Sequence, residues 1–145
     1  MKAVVYSTRS FEREYLAKAN HKKHDITLIS NALSLDTVAY ASGKEAVIVF
    51  PSDDLSAVVI TKLANLGVQN IISRSAGTAY IDVEAAAEHE MTIYKVDVED
   101  PILLTLMEYP EVLITPQQAK LCVASLKETA NQTIINLDRA GRISR

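Results

Sequence analysis

Five short apolar runs, at 3–6, 26–29, 46–50, 70–72 and 92–96, punctuate the chain, with polar or amphipathic stretches between them. Their continuity, without alternation of apolar and polar residues, predicts strands covered on both faces, as in a parallel sheet. The intervening stretches predict helices. Ser10 stands where it would cap a helix carrying Phe11, Tyr15, Leu16 and Ala19. Ser34 precedes Leu35, Val38 and Ala39, with Gly43 placed to stop a helix. Leu55, Val58, Val59, Leu63 and Leu66 form another apolar face, closed by Gly67. Asp82 predicts an N-cap for a helix over 83–90, and Glu84 sits at the end that favours an acid. The last helix is the most strongly marked. Thr115 with Gln118 forms a capping box, and Pro116 takes the first helical position. Val123, Leu126, Ala130, Ile134 and Leu137 then recur at steps of three and four, and Gly141 is placed to end it. Strands alternating with helices predict an α/β fold.

Composition narrows the classes. A chain of 145 residues with 48% hydrophobic content is long enough for one domain with a real core, so residues 1–145 are expected to fold as a unit. The net charge is −3 and the basic residues are scattered, which predicts no nucleic-acid partner. No apolar run reaches transmembrane length, and the start of the chain reads as a strand rather than a signal peptide. Cys122 is the one cysteine, so no internal disulfide forms; a structural thiol in a reducing, cytoplasmic setting is expected.

Candidate chemistry is sparse. The four glycines, Gly43, Gly67, Gly77 and Gly141, are too far apart for the Gly-x-Gly-x-x-Gly loop that holds a dinucleotide pyrophosphate, so no cofactor is expected. His21 and His24 have a spacing that would suit a metal, but no third ligand accompanies them, and they read as a solvated turn. His89 reads as a surface residue at a helix end, Asp53-Asp54 as a cap, and Ser75 has no nearby base that would make it a nucleophile. No metal site is expected.

Two motifs change this picture. Val112-Leu113-Ile114-Thr115-Pro116-Gln117-Gln118-Ala119 resembles the Val-Leu-Ile-Thr-Pro-His-Gln-Ala signature of D-2-hydroxyacid dehydrogenases, especially the D-lactate dehydrogenase branch. The loop Arg74-Ser75-Ala76-Gly77-Thr78-Ala79-Tyr80-Ile81-Asp82 is similar to that family's Arg-x-x-Gly-x-x-x-x-Asp loop. The resemblance spans nearly the whole chain. Residues 1–100 look like the N-terminal part of the substrate domain, and 101–145 like the C-terminal segment that returns to it. The fold implied is the flavodoxin-like three-layer α/β/α domain with a mainly parallel sheet.

The resemblance also implies a site and its losses. Ala76 and Gly77 would offer backbone amides to a substrate carboxylate, and Phe50 would line the pocket. The family's proton-donating histidine corresponds to Gln117, a neutral amide that cannot cycle a proton near neutral pH. The nucleotide-binding domain, with its arginine and glutamate, has no counterpart in 145 residues. Asp97-Val98-Glu99-Asp100-Pro101 replaces the family's Pro-x-Tyr-Ser-Pro and sets three acids near the would-be anion site, which is unfavourable. At residue level, Gly77 as a plain turn and Asp82 as a plain cap remain the competing reading of the loop. No residue is therefore expected to be catalytic; Phe50, Ala76, Gly77 and Gln117 are the substrate-binding candidates. The expected role is an inactive, dehydrogenase-like module that binds a small 2-oxo or 2-hydroxy carboxylate or a protein partner. The alternatives are a ligand-free assembly protein, or residual oxidoreductase activity with the NAD domain supplied by another chain. The apolar segment 102–115 predicts either a homodimer or a fold-back onto the domain's own surface.

Overall fold

The computed structural model describes residues 1–109, 111 and 115–143, the side chain of residue 143 excepted. Five parallel strands form one sheet: β1 (Lys2–Val5), β2 (Asp25–Leu28), β3 (Ala46–Val49), β4 (Asn70–Ser73) and β5 (Thr92–Tyr94). Their spatial order is β2-β1-β3-β4-β5. This is the doubly wound, flavodoxin-like order, and its switch point lies between β1 and β3. Helix α1 (Arg13–Asn20) follows β1, α2 (Ala57–Asn65) follows β3 and α3 (Val83–Glu88) follows β4. Helices α4 (Pro101–Glu108) and α5 (Pro116–Ile143) close the chain.

Alternate residues of each central strand enter different cores, because successive side chains point to opposite faces. Val4, Tyr6, Val47, Val49 and Ile71 pack with Val59, Ile60 and Leu63 of α2 and with Ala85 and Ala86 of α3. Ala3, Val5, Ala46, Ile48 and Ile72 pack with Leu16 of α1 and with Ala130, Ile134 and Leu137 of α5. A third cluster lies at the strand ends: Phe50 with Leu103 and Met107 of α4 and Cys122 and Leu126 of α5. The expectation of doubly covered strands holds for β3 and β4, whose residues are all buried. The edge strand β2 is only partly covered, because a strand with one neighbour keeps a flank towards solvent.

The helix expectations hold unevenly. Asp82 caps α3 through the Ala85 N–H at 3.1 Å, although the helix ends at Glu88. The capping box opens α5 as expected: Thr115 N–H donates to Gln118 Oε1 at 2.9 Å, and Gln118 N–H to Thr115 Oγ1 at 3.2 Å. Gly141 does not end α5, which continues to Ile143; its backbone φ stays outside the positive region that a glycine stop requires. Gly43 and Gly67 do adopt positive φ, at 78° and 97°. The helix expected after Ser34 is only a 3₁₀ turn, Val38–Ala41. Ser34 N–H donates to Thr37 Oγ1, which donates in turn to Ala32 C=O; such local side-chain bonds compete with helix formation. Ser10 caps nothing: α1 begins at Arg13, after a turn in which Glu12 accepts the Arg9 N–H at 2.7 Å. In α2 the apolar face is rotated from the expected one. Ile60 is buried, Val58 is 57% exposed, and Leu55 lies outside the helix in a bridge to Ile81.

Candidate functional site

The ends of β1, β3 and β4 meet at one rim of the sheet, the side on which open α/β sheets bind ligands. The polar groups there come from three loops far apart in sequence. Arg74, the first residue after β4, turns inward and is 3% exposed. Its Nη2 donates to Glu12 Oε1 at 3.0 Å and to Ser7 C=O at 3.1 Å, its Nε to Glu12 Oε2 at 3.2 Å, and its Nη1 to Tyr6 C=O at 3.0 Å. The guanidinium carbon lies 5.7 Å from the centre of the Phe50 ring, within cation–π range. Arg74 is therefore saturated by the protein and leaves its charge on Glu12, not on a ligand.

Asp53 organises the neighbouring loop. Its Oδ1 accepts the Ser7 hydroxyl at 2.6 Å and the Leu33 N–H at 2.8 Å, and its Oδ2 accepts the Phe50 N–H at 2.8 Å. Burial raises the Asp53 pKa above the ordinary 3.8, against the opposing pull of these donors and of Arg74. Ser7 adopts a positive φ of 54°, a strained conformation for a non-glycine residue, while bonded to Asp53. Tyr80 shares a 2.5 Å hydrogen bond with Ser73 Oγ. Burial, reinforced by the charge of Asp53, pushes its phenol up to about 12 against the Ser73 hydrogen bond, so it stays protonated near neutrality.

The sequence-derived candidates differ in burial. Phe50 is buried beneath α4, at 3% exposure. Ala76 is half-buried and Gly77 exposed on the loop after β4. Gln117 is exposed in the first turn of α5. The small hollow beneath α4 is lined by Phe50 but not by Ala76, Gly77 or Gln117. The Gly77 N–H already donates to Ser75 Oγ at 3.2 Å, so one of the two expected carboxylate donors is engaged within its own loop. Asp100 is accounted for otherwise: it caps α4 through the Ile102 and Leu103 N–H groups at 3.0 and 3.2 Å, and accepts the Ser125 hydroxyl at 2.7 Å. Asp53-Asp54 does not cap a helix through Asp53, which is turned into the buried network described above.

Two hollows flank the strand ends. One of about 20 Å³ is enclosed by Glu12, Phe50, Arg74, Asp100, Leu103 and Met107, among others. The other, open and about 400 Å³, is lined by Asp53, Asp54 and Asp82 and by no basic side chain, which disfavours an anion there.

All three histidines stand away from this rim. His21 and His24 lie in the turn leading into β2, and His89 follows α3 and meets Thr61 Oγ1 at 3.1 Å. His24 corrects the expectation of a solvated turn. It is half-buried, with Nε2 2.7 Å from Asp138 Oδ1 of α5 and Nδ1 3.3 Å from the Met1 amine. Among the described residues no group of three or more His, Cys, Asp or Glu is arranged to hold a metal, and no helix is long and apolar enough to cross a membrane.

Sequence reasoning missed Ser7 and Glu12 and treated Arg74 only as one letter of a loop motif. The available signal was an arginine directly after a buried strand, which must find a counter-charge; nothing in the sequence said that the counter-charge was Glu12.

Comparison with known proteins agrees with this architecture. Residues 3–99 match the model of the D-isomer specific 2-hydroxyacid dehydrogenase catalytic domain. A 2-hydroxyacid dehydrogenase homolog of Haemophilus influenzae is 35% identical over 102 residues, covering 70% of this chain and 31% of the relative. D-lactate dehydrogenase of Escherichia coli is 34% identical over the same shares of each chain. The apo structure of the Escherichia coli enzyme superposes with a TM-score of 0.67 at 34% identity, over 71% of this chain and 33% of that one. The chain thus spans about a third of the length of these relatives, and the family match stops short of Gln117. With a five-stranded parallel sheet and this similarity over most of its length, the chain belongs to the D-isomer-specific 2-hydroxyacid dehydrogenase family.

Proposed function

We propose that this chain is a catalytically silent member of the family that binds a small 2-oxo or 2-hydroxy carboxylate at the loop Ser75-Ala76-Gly77. The observation that carries the reading is Gly77. A glycine is normally explained by a positive φ or by a crowded Cβ position, and Gly77 has neither. It lacks a positive φ, and a Cβ built on it would come no closer than 4.0 Å to any neighbour, the Ser75 Oγ. The fold does not require glycine there, whereas a ligand approaching the backbone closely would.

Silence rests on the chemistry of the rim. A reducing step needs a proton donor poised near the working pH. The described groups there are Arg74, held by Glu12; Asp53, locked by three donors; and Tyr80, pushed up to about 12. Gln117, exposed at the start of α5, has no proton to give. A homodimer through half-buried Leu106 of α4 belongs to the same proposal.

The test has two arms on the 145-residue chain. NADH oxidation with pyruvate and longer 2-oxoacids should stay at background, and Gln117→His should not raise it. Pyruvate and lactate should shift the amide resonances of Ala76 and Gly77, and Gly77→Val should abolish the shifts. Steady turnover would overturn the silence; absence of shifts at the loop, with a tight oligomer, would favour a ligand-free assembly protein instead.

A further inference from the structure

We propose that a hollow at the opposite end of the sheet binds a small zwitterion, a free amino acid, bridged between Glu45 and Arg142. The hollow, about 390 Å³, lies where β1, β2 and β3 begin and α5 ends. Its volume is that of a small-molecule site. None of Ser75, Ala76 and Gly77 lines it, so the proposal stands apart from the carboxylate reading above.

Most charged groups lining the hollow are already matched. His24 Nε2 lies 2.7 Å from Asp138 Oδ1, and its Nδ1 lies 3.3 Å from the Met1 amine. The Asp138 carboxylate only accepts, so Nε2 carries the hydrogen and Nδ1 accepts from the amine. Lys23 Nζ stands 3.7 Å from Asp138 Oδ2. Glu45 and Arg142 are left. Both are exposed, and neither forms an ion pair among the described residues. Glu45 Oε1 accepts the Lys2 N–H at 3.3 Å. Two opposite charges thus line one hollow without pairing with each other. An ammonium and a carboxylate on one carbon complement them: the ammonium donates to Glu45, and the carboxylate accepts the forked N–H groups of Arg142. A bare anion meets Glu45 and Asp138 there, and a bare cation meets Lys23 and Arg142, so each is disfavoured where a zwitterion is not.

Gly141 is a second observation. It lies within α5, where glycine is less favourable than alanine. Its φ is not positive, and a Cβ built on it would come no closer than 3.9 Å to a neighbour, Met1 Cε. Neither conformation nor packing requires glycine there. It lines the hollow, and a wall without a side chain leaves room for a ligand.

The experiment titrates the 145-residue chain with each of the free protein amino acids at constant ionic strength, following backbone amide resonances by NMR. Acetate and ethylamine serve as the separate halves of the zwitterion. At least one amino acid should shift the amides of Glu45, Gly141 and Arg142 to saturation, and neither half should. Arg142→Ala and Glu45→Gln, both at exposed positions, should each weaken binding about tenfold, as the loss of one charge-assisted hydrogen bond does. Gly141→Leu should abolish it while leaving the effect of pyruvate on Ala76 and Gly77 as in the wild type. Silence from every amino acid would overturn the proposal. So would acetate binding as tightly as an amino acid, or Glu45→Gln leaving affinity unchanged, since either result makes the site one for a simple anion.

Discussion

At the scale of single residues, the strand-end rim is governed by buried charge. Glu12 and Arg74 are 4% and 3% exposed and satisfy each other along with two backbone carbonyls. Removing one partner leaves the other charge buried without its counter-ion, which costs about 3–5 kcal/mol. Glu12→Gln should lower unfolding stability by about that amount in urea melts, far more than Glu14→Gln in the exposed Glu14–Lys18 pair. Asp53 makes a pH prediction. Its folded pKa is raised, so its titration favours the fold below the ordinary value of 3.8, and that contribution fades as pH rises through the folded value. The stability difference between wild type and Asp53→Asn should therefore shift against the wild type as pH rises through that window. Urea melts at a series of pH values would show it, and a shift in the opposite direction would mean that Asp53 is held ionised instead. Gly77→Ala, by contrast, should change stability by less than about 0.5 kcal/mol, since neither conformation nor packing opposes it.

At the scale of elements, α2 shows how a helix takes its final angle. Its apolar residues are numerous enough to define two overlapping stripes, and the sheet selects the one led by Ile60. Ile60→Ala should then cost about 2–5 kcal/mol, as for a buried large-to-small change, while Val58→Ala should stay within about 0.5 kcal/mol. Equal costs in chemical denaturation would place the helix in the other orientation. Helix α5 depends less on its neighbours for its start. Both arms of its capping box are formed on an exposed turn, so Thr115→Ala should destabilise by about 1 kcal/mol wherever the rest of the helix packs.

At the scale of the whole molecule, α4 changes what the apolar tail must do. Leu103 and Met107 are covered within the chain, so a second copy is not needed to cover them. Residues 110 and 112–114, part of the segment from which a dimer was expected, lie outside the described residues. In the proposed dimer, association uses half-buried Leu106, since Leu104 packs against the Phe50 cluster. Light scattering at micromolar concentration should report a dimer that Leu106→Glu shifts towards monomer, and a wild-type monomer throughout would remove that part of the proposal.

What the sequence determined by itself is local or periodic. The positions of five strands, the caps at Asp82 and Thr115 and the buried stripe of α5 follow from hydrophobic spacing and short-range hydrogen bonding, which need no knowledge of distant residues. The strand-end motif pointed to a family, and similarity over residues 3–99 established it. Only the tertiary structure decided the rest. Glu12 meets Arg74 across 62 residues, Ser7 meets Asp53 across 46, and Arg9 meets Met107 across 98. Each pairing joins segments that the fold brings to one rim, and no period in the chain encodes that meeting.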